Sequence, residues 1–228
     1  MPKRPVQCQR GLLDIFASAR VRGSHFRTDS LKLPRMKHTR LALALALVPT
    51  LAHAHPGHGA EIGGIGWGLA HPFSGLDHIL AMIAVGLWAV QIGKRALWLL
   101  PLSFVSAMAA GAAIGMSGVH LPLVEPAILA SVIGLGALVA FAARLPLGAS
   151  AALVAVAALF HGQAHGSEMP ANASGFLTAA GFIIATAMLH TAGVLGGLAL
   201  QRTAHQRAIR TVGAAIFSVA VLLALGVL

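Results

Sequence analysis

Trp67-Gly-Leu-Ala-His71-Pro-Phe-Ser-Gly-Leu-Asp77-His78-Ile-Leu-Ala-Met82 opens an apolar run that continues to Ile92. From Phe73 onward the run approaches the ~20 residues that an α-helix needs to cross ~30 Å of hydrocarbon. Its first turns nevertheless carry two imidazoles and a carboxylate, groups that cost several kcal/mol at bilayer depth unless they face water, an ion or one another. On one continuous helix His71 and His78 would share a face yet stand ~10 Å apart along the axis, at ~1.5 Å per residue. Pro72 and Gly75 lie between them. Proline suits a first helical turn and glycine permits a sharp bend, so the stretch predicts a broken helix beginning near Pro72, with His71 folded back over that first turn. Irregular backbone at this depth is tolerated where it lines a cavity, which turns His71, Asp77 and His78 inward. The positive end of the helix dipole disfavours a cation there, so Asp77 is expected to reverse the local field as an anionic ligand. Its plainer role is to complement the dipole of its own first turn.

Of the 228 residues 57% are hydrophobic and only 10% charged, and the mean hydropathy is +0.81. That balance belongs to a polytopic membrane protein and sets soluble domains aside. Five further apolar segments follow: Leu97 to Met116, Val124 to Ala142, Leu147 to Phe160, Gly175 to Leu200 and Ile209 to Leu228. The expected fold is therefore an all-α membrane bundle of six transmembrane helices in the lipid bilayer. The fourth segment is short unless the polar motif after it continues the helix. Gly111-x-x-x-Gly115, Gly162-x-x-x-Gly166 and Gly193-x-x-x-Gly197 have the spacing that lets helices approach closely, although 26 glycines make such spacing common by chance.

The formal charge of +10 would ordinarily suggest nucleic acid as a partner. Ten of the sixteen basic residues fall within residues 1–54, however, and from His55 onward six basic residues face four acidic ones, so no nucleic-acid partner is expected. Met36-Lys37-His-Thr-Arg40, the apolar core Leu41 to Leu51 and Ala52-His53-Ala54 have the plan of a cleavable signal peptide. The expected division is a polar extension or misassigned start over residues 1–35, a signal peptide over 36–54 and a six-helix domain over 55–228. N-terminal sequencing checks it: a mature chain that begins before Met36 contradicts it. Cys8, the only cysteine, falls in the leader and leaves the mature chain without a disulfide.

With His55 outside the cytoplasm, Lys94 and Arg95, then Arg144, then Arg202, Arg207 and Arg210 all fall on the cytoplasmic side. Charge and cleavage site thus agree on a topology with both termini of the mature chain outside the cytoplasm.

A second polar motif, Phe160-His161-Gly-Gln-Ala-His165-Gly-Ser-Glu168, has offsets of four and seven residues that put its three ionisable side chains on one helical face. Paired imidazoles with a carboxylate oxygen suit a borderline divalent cation. His190 stands alone in the fifth span, as a packing residue, a ligand or a proton carrier. His55 and His58 at the new amino terminus could capture a metal with the terminal amine. Ligand histidines must be neutral, so binding is expected to weaken below about pH 6.5.

Neither a phosphate-binding G-x-x-x-x-G-K-[ST] loop nor H-E-x-x-H occurs, which removes the machinery of nucleotide hydrolysis and of zincin-type proteolysis. A dication needs no pump to enter, since ~100 mV of membrane potential favours it by about 4.6 kcal/mol. Two other chemistries use histidines within spans. One is an intramembrane hydrolase built on Ser74, although Ser74, preceded by Pro72-Phe73, does not stand in a G-x-S-G setting; the other is a haem-binding electron carrier with axial histidines.

The two motifs, together with Ala54-His55 and Leu189-His190-Thr-Ala-Gly193, resemble the HupE/UreJ family of nickel-permease-like membrane proteins over essentially all of the mature chain. The resemblance implies a non-enzymatic permease for a transition-metal ion. The cargo would be Ni2+, with Co2+ and Zn2+ as the other candidates, taken across the inner membrane to supply hydrogenase or urease assembly. It also implies that His71, Asp77, His78, His161, His165 and Glu168 occupy the family's metal-handling positions. No resident cofactor is implied.

Overall fold

The computed structural model describes residues 64–169 and 175–228, all within one compact unit that spans residues 50–228. The leader, its cleavage site, His55 and His58 lie outside the described residues. Seven α-helices and one 3-10 turn make up the described secondary structure: α1 (Ile65–Ala70), the turn His71–Phe73, α2 (Leu76–Ile92), α3 (Ala96–Met116), α4 (Val124–Phe141), α5 (Leu147–Ser167), α6 (Gly175–Thr203) and α7 (His205–Ala224). No strand occurs among the described residues.

The last five helices are each long and apolar enough to cross a membrane, and α1 with its turn and α2 are apolar enough to do so together as a pair bent by 83°, which gives up to six spans. The chain is a multi-pass membrane protein. Its six segments coincide with those expected from hydropathy, and the fourth does continue through its polar motif, reaching Ser167. Large apolar side chains such as Trp98, Leu102, Phe141, Val156 and Leu195 face outward, while Ser150, His161, His165, Thr186 and His190 are buried. An apolar exterior around a partly polar interior is the arrangement a bilayer stabilises.

The new helix begins four residues later than Pro72, where the sequence placed its start. Pro72 sits inside the 3-10 turn, and the new helix starts at Leu76, after Gly75 in an extended conformation. A short helix, α1, precedes the turn; hydropathy gave no sign of it because six residues are too few to register as a span.

Two of the glycine pairs hold α3 and α5 together. A Cβ on Gly111 or Gly115 would strike the backbone of Leu159 or Gln163, and one on Gly162 or Gly166 that of Met108 or Ala112. The helices therefore touch backbone to backbone, and the packing follows from missing side chains. Gly193 meets Ile83 and Gly86 of α2 in the same way, and Gly181 meets Ile65 and Gly68 of α1. At the end of the bundle that carries Lys94 and Arg95, the open carboxyl end of α4 is sealed by side chains. Gln91 Nε2 donates to Val139 O at 3.0 Å, Arg210 Nε to Ala140 O at 2.8 Å and Trp88 Nε1 to Ala143 O at 2.9 Å. Val139 O also accepts the Ala142 N–H at 3.1 Å, so the side chains add to the backbone turn that closes the helix.

Candidate metal site

Both motifs meet at the opposite end of the bundle, where α2 begins and α5 ends. The bend at Gly75 turns the His71 segment back across the start of α2. The close approach of α3 and α5 meanwhile fixes the height of His161 and His165, each next to one of the contact glycines. The outcome is a row of imidazoles in mutual contact. The His71 ring lies 5.1 Å from that of His165, His165 lies 4.4 Å from His78, and His78 lies 4.7 Å from His161, centroid to centroid. His71 and His78, which a straight helix would separate, thus touch the same ring.

Acceptors hold the first and third rings of the row. The His71 Nε2–H donates to Glu168 Oε2 at 3.0 Å, and the His78 Nδ1–H donates to Asp77 Oδ1 at 3.0 Å. The same Asp77 oxygen accepts the backbone N–H of His78 at 2.9 Å. Asp77 therefore fills the dipole-complementing role and orients an imidazole with one atom. A carboxylate can only accept, so His78 leaves Nε2 free as a lone pair. Gly75 is required by this pair: a Cβ there would lie 2.7 Å from Asp77 Oδ1 and 2.9 Å from His78 Nδ1. The accepted hydrogen bond from His71 holds the Glu168 carboxyl below the usual carboxylate range, against the opposing effect of partial burial.

Exposure is greatest at the Glu168 and His71 end of the row. Glu168 is 54% exposed and His71 21%, whereas His165 and His161 are almost wholly enclosed. Within the enclosed part, His78 Nε2, His161 Nδ1 and both nitrogens of His165 are buried without a hydrogen-bond partner. Buried polar atoms in that state are uncommon and costly, and they cluster where a protein handles a ligand. Among the described residues no three histidine or acidic side chains are disposed to close around one ion. The donors form a row, and a row of partial sites suits an ion that must leave as readily as it enters.

Aromatic walls that sequence reasoning missed complete the site. Trp67 stacks on His71 at 4.4 Å, Phe182 stacks on His165 at 4.4 Å, and Phe104 packs against His161 at 5.8 Å. Trp67 stands one helical turn before His71 and was findable by spacing; Phe104 and Phe182 come from α3 and α6 and carry no local signal. His190 does not join the row. It contacts Phe104 at 4.9 Å, and both its nitrogens are buried without partners.

The geometry bears on the other two chemistries. The Ser74 hydroxyl donates to His71 O at 2.6 Å and engages no imidazole base. The rings of the row touch, so a flat macrocycle has no slot between them.

Comparison with known proteins agrees with the two motifs. A family model described as HupE / UreJ protein matches residues 43–223. The chain belongs to the HupE/UreJ family. A relative from Rhizobium leguminosarum bv. viciae, named Protein HupE, is 46% identical over 187 residues, covering 79% of this chain and 95% of that protein. No solved structure matches the chain. Both polar motifs lie inside the span that the family model matches, as do all six membrane segments apart from the end of α7.

Proposed function

We propose that this protein is a secondary permease that admits a divalent transition metal, Ni2+ first, with Co2+ and Zn2+ as competitors, for hydrogenase or urease maturation. The reading rests on one observation: four touching imidazoles, three of which carry a buried nitrogen without a partner, approached from outside through a carboxylate. Glu168 would draw the hydrated cation to the mouth. His71, His165, His78 and His161 would then exchange its water for nitrogen ligands one step at a time. Imidazole and carboxylate without thiolate suit a borderline dication, and membership of the family supports the same cargo. His190, beyond Phe104, would serve as a later stop, and His55 and His58 as a capture point.

The signal sequence and the basic residues together favour a periplasmic mouth. Asp77, Glu125 and Glu168 stand at helix ends opposite those of Lys94, Arg95, Arg144, Arg207 and Arg210, so the acidic end faces the supply of cations. Nickel uptake by cells that produce the protein, with Co2+ and Zn2+ as competitors, tests the reading. His78→Ala, Asp77→Ala and Glu168→Ala should each lower uptake by tenfold or more at equal membrane abundance. Undiminished uptake in all three overturns it.

A further inference from the structure

The row contains a third acceptor, and it comes from neither motif. Ser131, on α4, places its Oγ 3.0 Å from His161 Nε2. The same hydroxyl lies 2.7 Å from the carbonyl of Ile128, one helical turn back. A serine has one proton to give, while a carbonyl oxygen can only accept, so the proton belongs to the Ile128 bond. The Ser131 oxygen must then accept, and the hydrogen it accepts is that on His161 Nε2. His161 Nδ1, which is buried and has no partner, is left as the lone pair.

We infer that Ser131 is a positioning residue that holds His161 in the Nε2–H tautomer and so presents Nδ1 to the permeating metal. Glu168 and Asp77 do the same for His71 and His78, and a hydroxyl takes the carboxylate's place at the innermost ring. Such a substitution has a physical reason. His161 is fully buried, and a neutral acceptor orients the ring without setting another charge in the membrane. Partners of this kind fix the tautomer and orientation of ligand histidines, and their loss lowers metal affinity by about tenfold to a hundredfold. His165 has no such acceptor on either nitrogen and is free to take either tautomer, as the ring between two fixed neighbours requires.

The inference rests on the permease reading for its purpose, and its test does not. Ser131 lines an open groove of about 560 Å3 beside Ala127, Gly134 and Phe160, so both a smaller and a slightly larger side chain fit. The whole protein, labelled with 15N-histidine and reconstituted metal-free in lipid nanodiscs, gives a nitrogen spectrum that separates the two tautomers, with the His161 signals assigned from His161→Asn. The wild type should show His161 protonated at Nε2 and bare at Nδ1, Ser131→Thr should keep that pattern, and Ser131→Ala should mix the two forms. In cells, Ser131→Ala should raise the KM for nickel by tenfold or more at little change in maximal rate, with Ser131→Thr restoring it. An Nδ1–H tautomer in the wild type, or a His161 spectrum that Ser131→Ala leaves unchanged, overturns the inference. If the spectra come out as stated while the wild type takes up no metal, the permease reading fails and the role of Ser131 in fixing the ring stands.

Discussion

Replacing Gly75 with alanine perturbs the site without removing any ligand. Gly75 has φ −98° and ψ 119°, a backbone that alanine adopts freely, so the change does not act by straining the bend. Its effect comes from the added methyl, which would lie 2.7 Å from Asp77 Oδ1 and 2.9 Å from His78 Nδ1, short by 0.7 and 0.5 Å of the 3.4 Å at which ordinary contact begins. The two atoms it meets are the acceptor and donor of one 3.0 Å hydrogen bond. They cannot both retreat by that amount and keep the bond, so His78 loses its orienting partner. Loss of such a partner lowers metal affinity by about tenfold to a hundredfold, or about 1.4–2.7 kcal/mol. Alanine is also a poorer N-cap than glycine, which costs up to about 1 kcal/mol of stability. Concentration-dependent nickel uptake, normalised to membrane protein by immunoblot, should therefore show a KM raised by tenfold or more in Gly75→Ala. Because both changes act through one bond, Gly75→Ala combined with Asp77→Ala should be no worse than Asp77→Ala alone. A KM within twofold of wild type, or full additivity in the double variant, refutes the reasoning.

Glu168 gives a pH signature. Its carboxyl is held low by the bond from His71, so the stabilisation is present above the unfolded-state value and is lost as pH falls through the lower folded-state value. Glu168→Gln should lower the Tm of the detergent-solubilised protein near neutral pH, and the difference should close in acid, below about pH 4.3; a gap that widens toward acid contradicts this. With Glu168 half-exposed, the effect should be small. Gly166→Ala drives a methyl into the backbone of Ala112, and overpacking of this kind costs about 1–3 kcal/mol. It should lower Tm and, by shifting His165, reduce uptake, whereas Gly134→Ala, with nothing within 4 Å, should do neither.

Much of the site was legible because its chemistry is rare where it stands. Histidines and carboxylates at the ends of apolar segments are expensive, so each announced itself without neighbours for comparison. The bend between His71 and His78 was legible for a related reason, since Pro72 and Gly75 cannot continue a regular helix. Its position was not: the new helix starts at Leu76 because Gly75, and not Pro72, takes the extended conformation that lets Asp77 fold over the helix end. The role of Asp77 also needed coordinates. Sequence allows a carboxylate beside a histidine to serve as ligand or dipole partner, and the 2.9 and 3.0 Å bonds add a further role, the orienting of His78. Ser131 was invisible, one serine in an apolar helix, because its meaning lies 30 residues away in His161.

From its order of residues alone, the chain determined where its apolar segments lie, which end of the bundle carries positive charge, and which ionisable side chains are costly within it. These follow from local quantities: segment length against bilayer thickness, the hydration of charge, and the backbone preferences of proline and glycine. Tertiary structure decided which imidazoles touch, that His190 contacts Phe104 outside the row, and which ring nitrogens have an acceptor. Those outcomes depend on the crossing of α3 with α5, where four glycines let the two backbones meet, and on the bend that lays His71 over the start of α2. Contacts between residues far apart in sequence are set by the packing of whole helices, which no local stretch encodes.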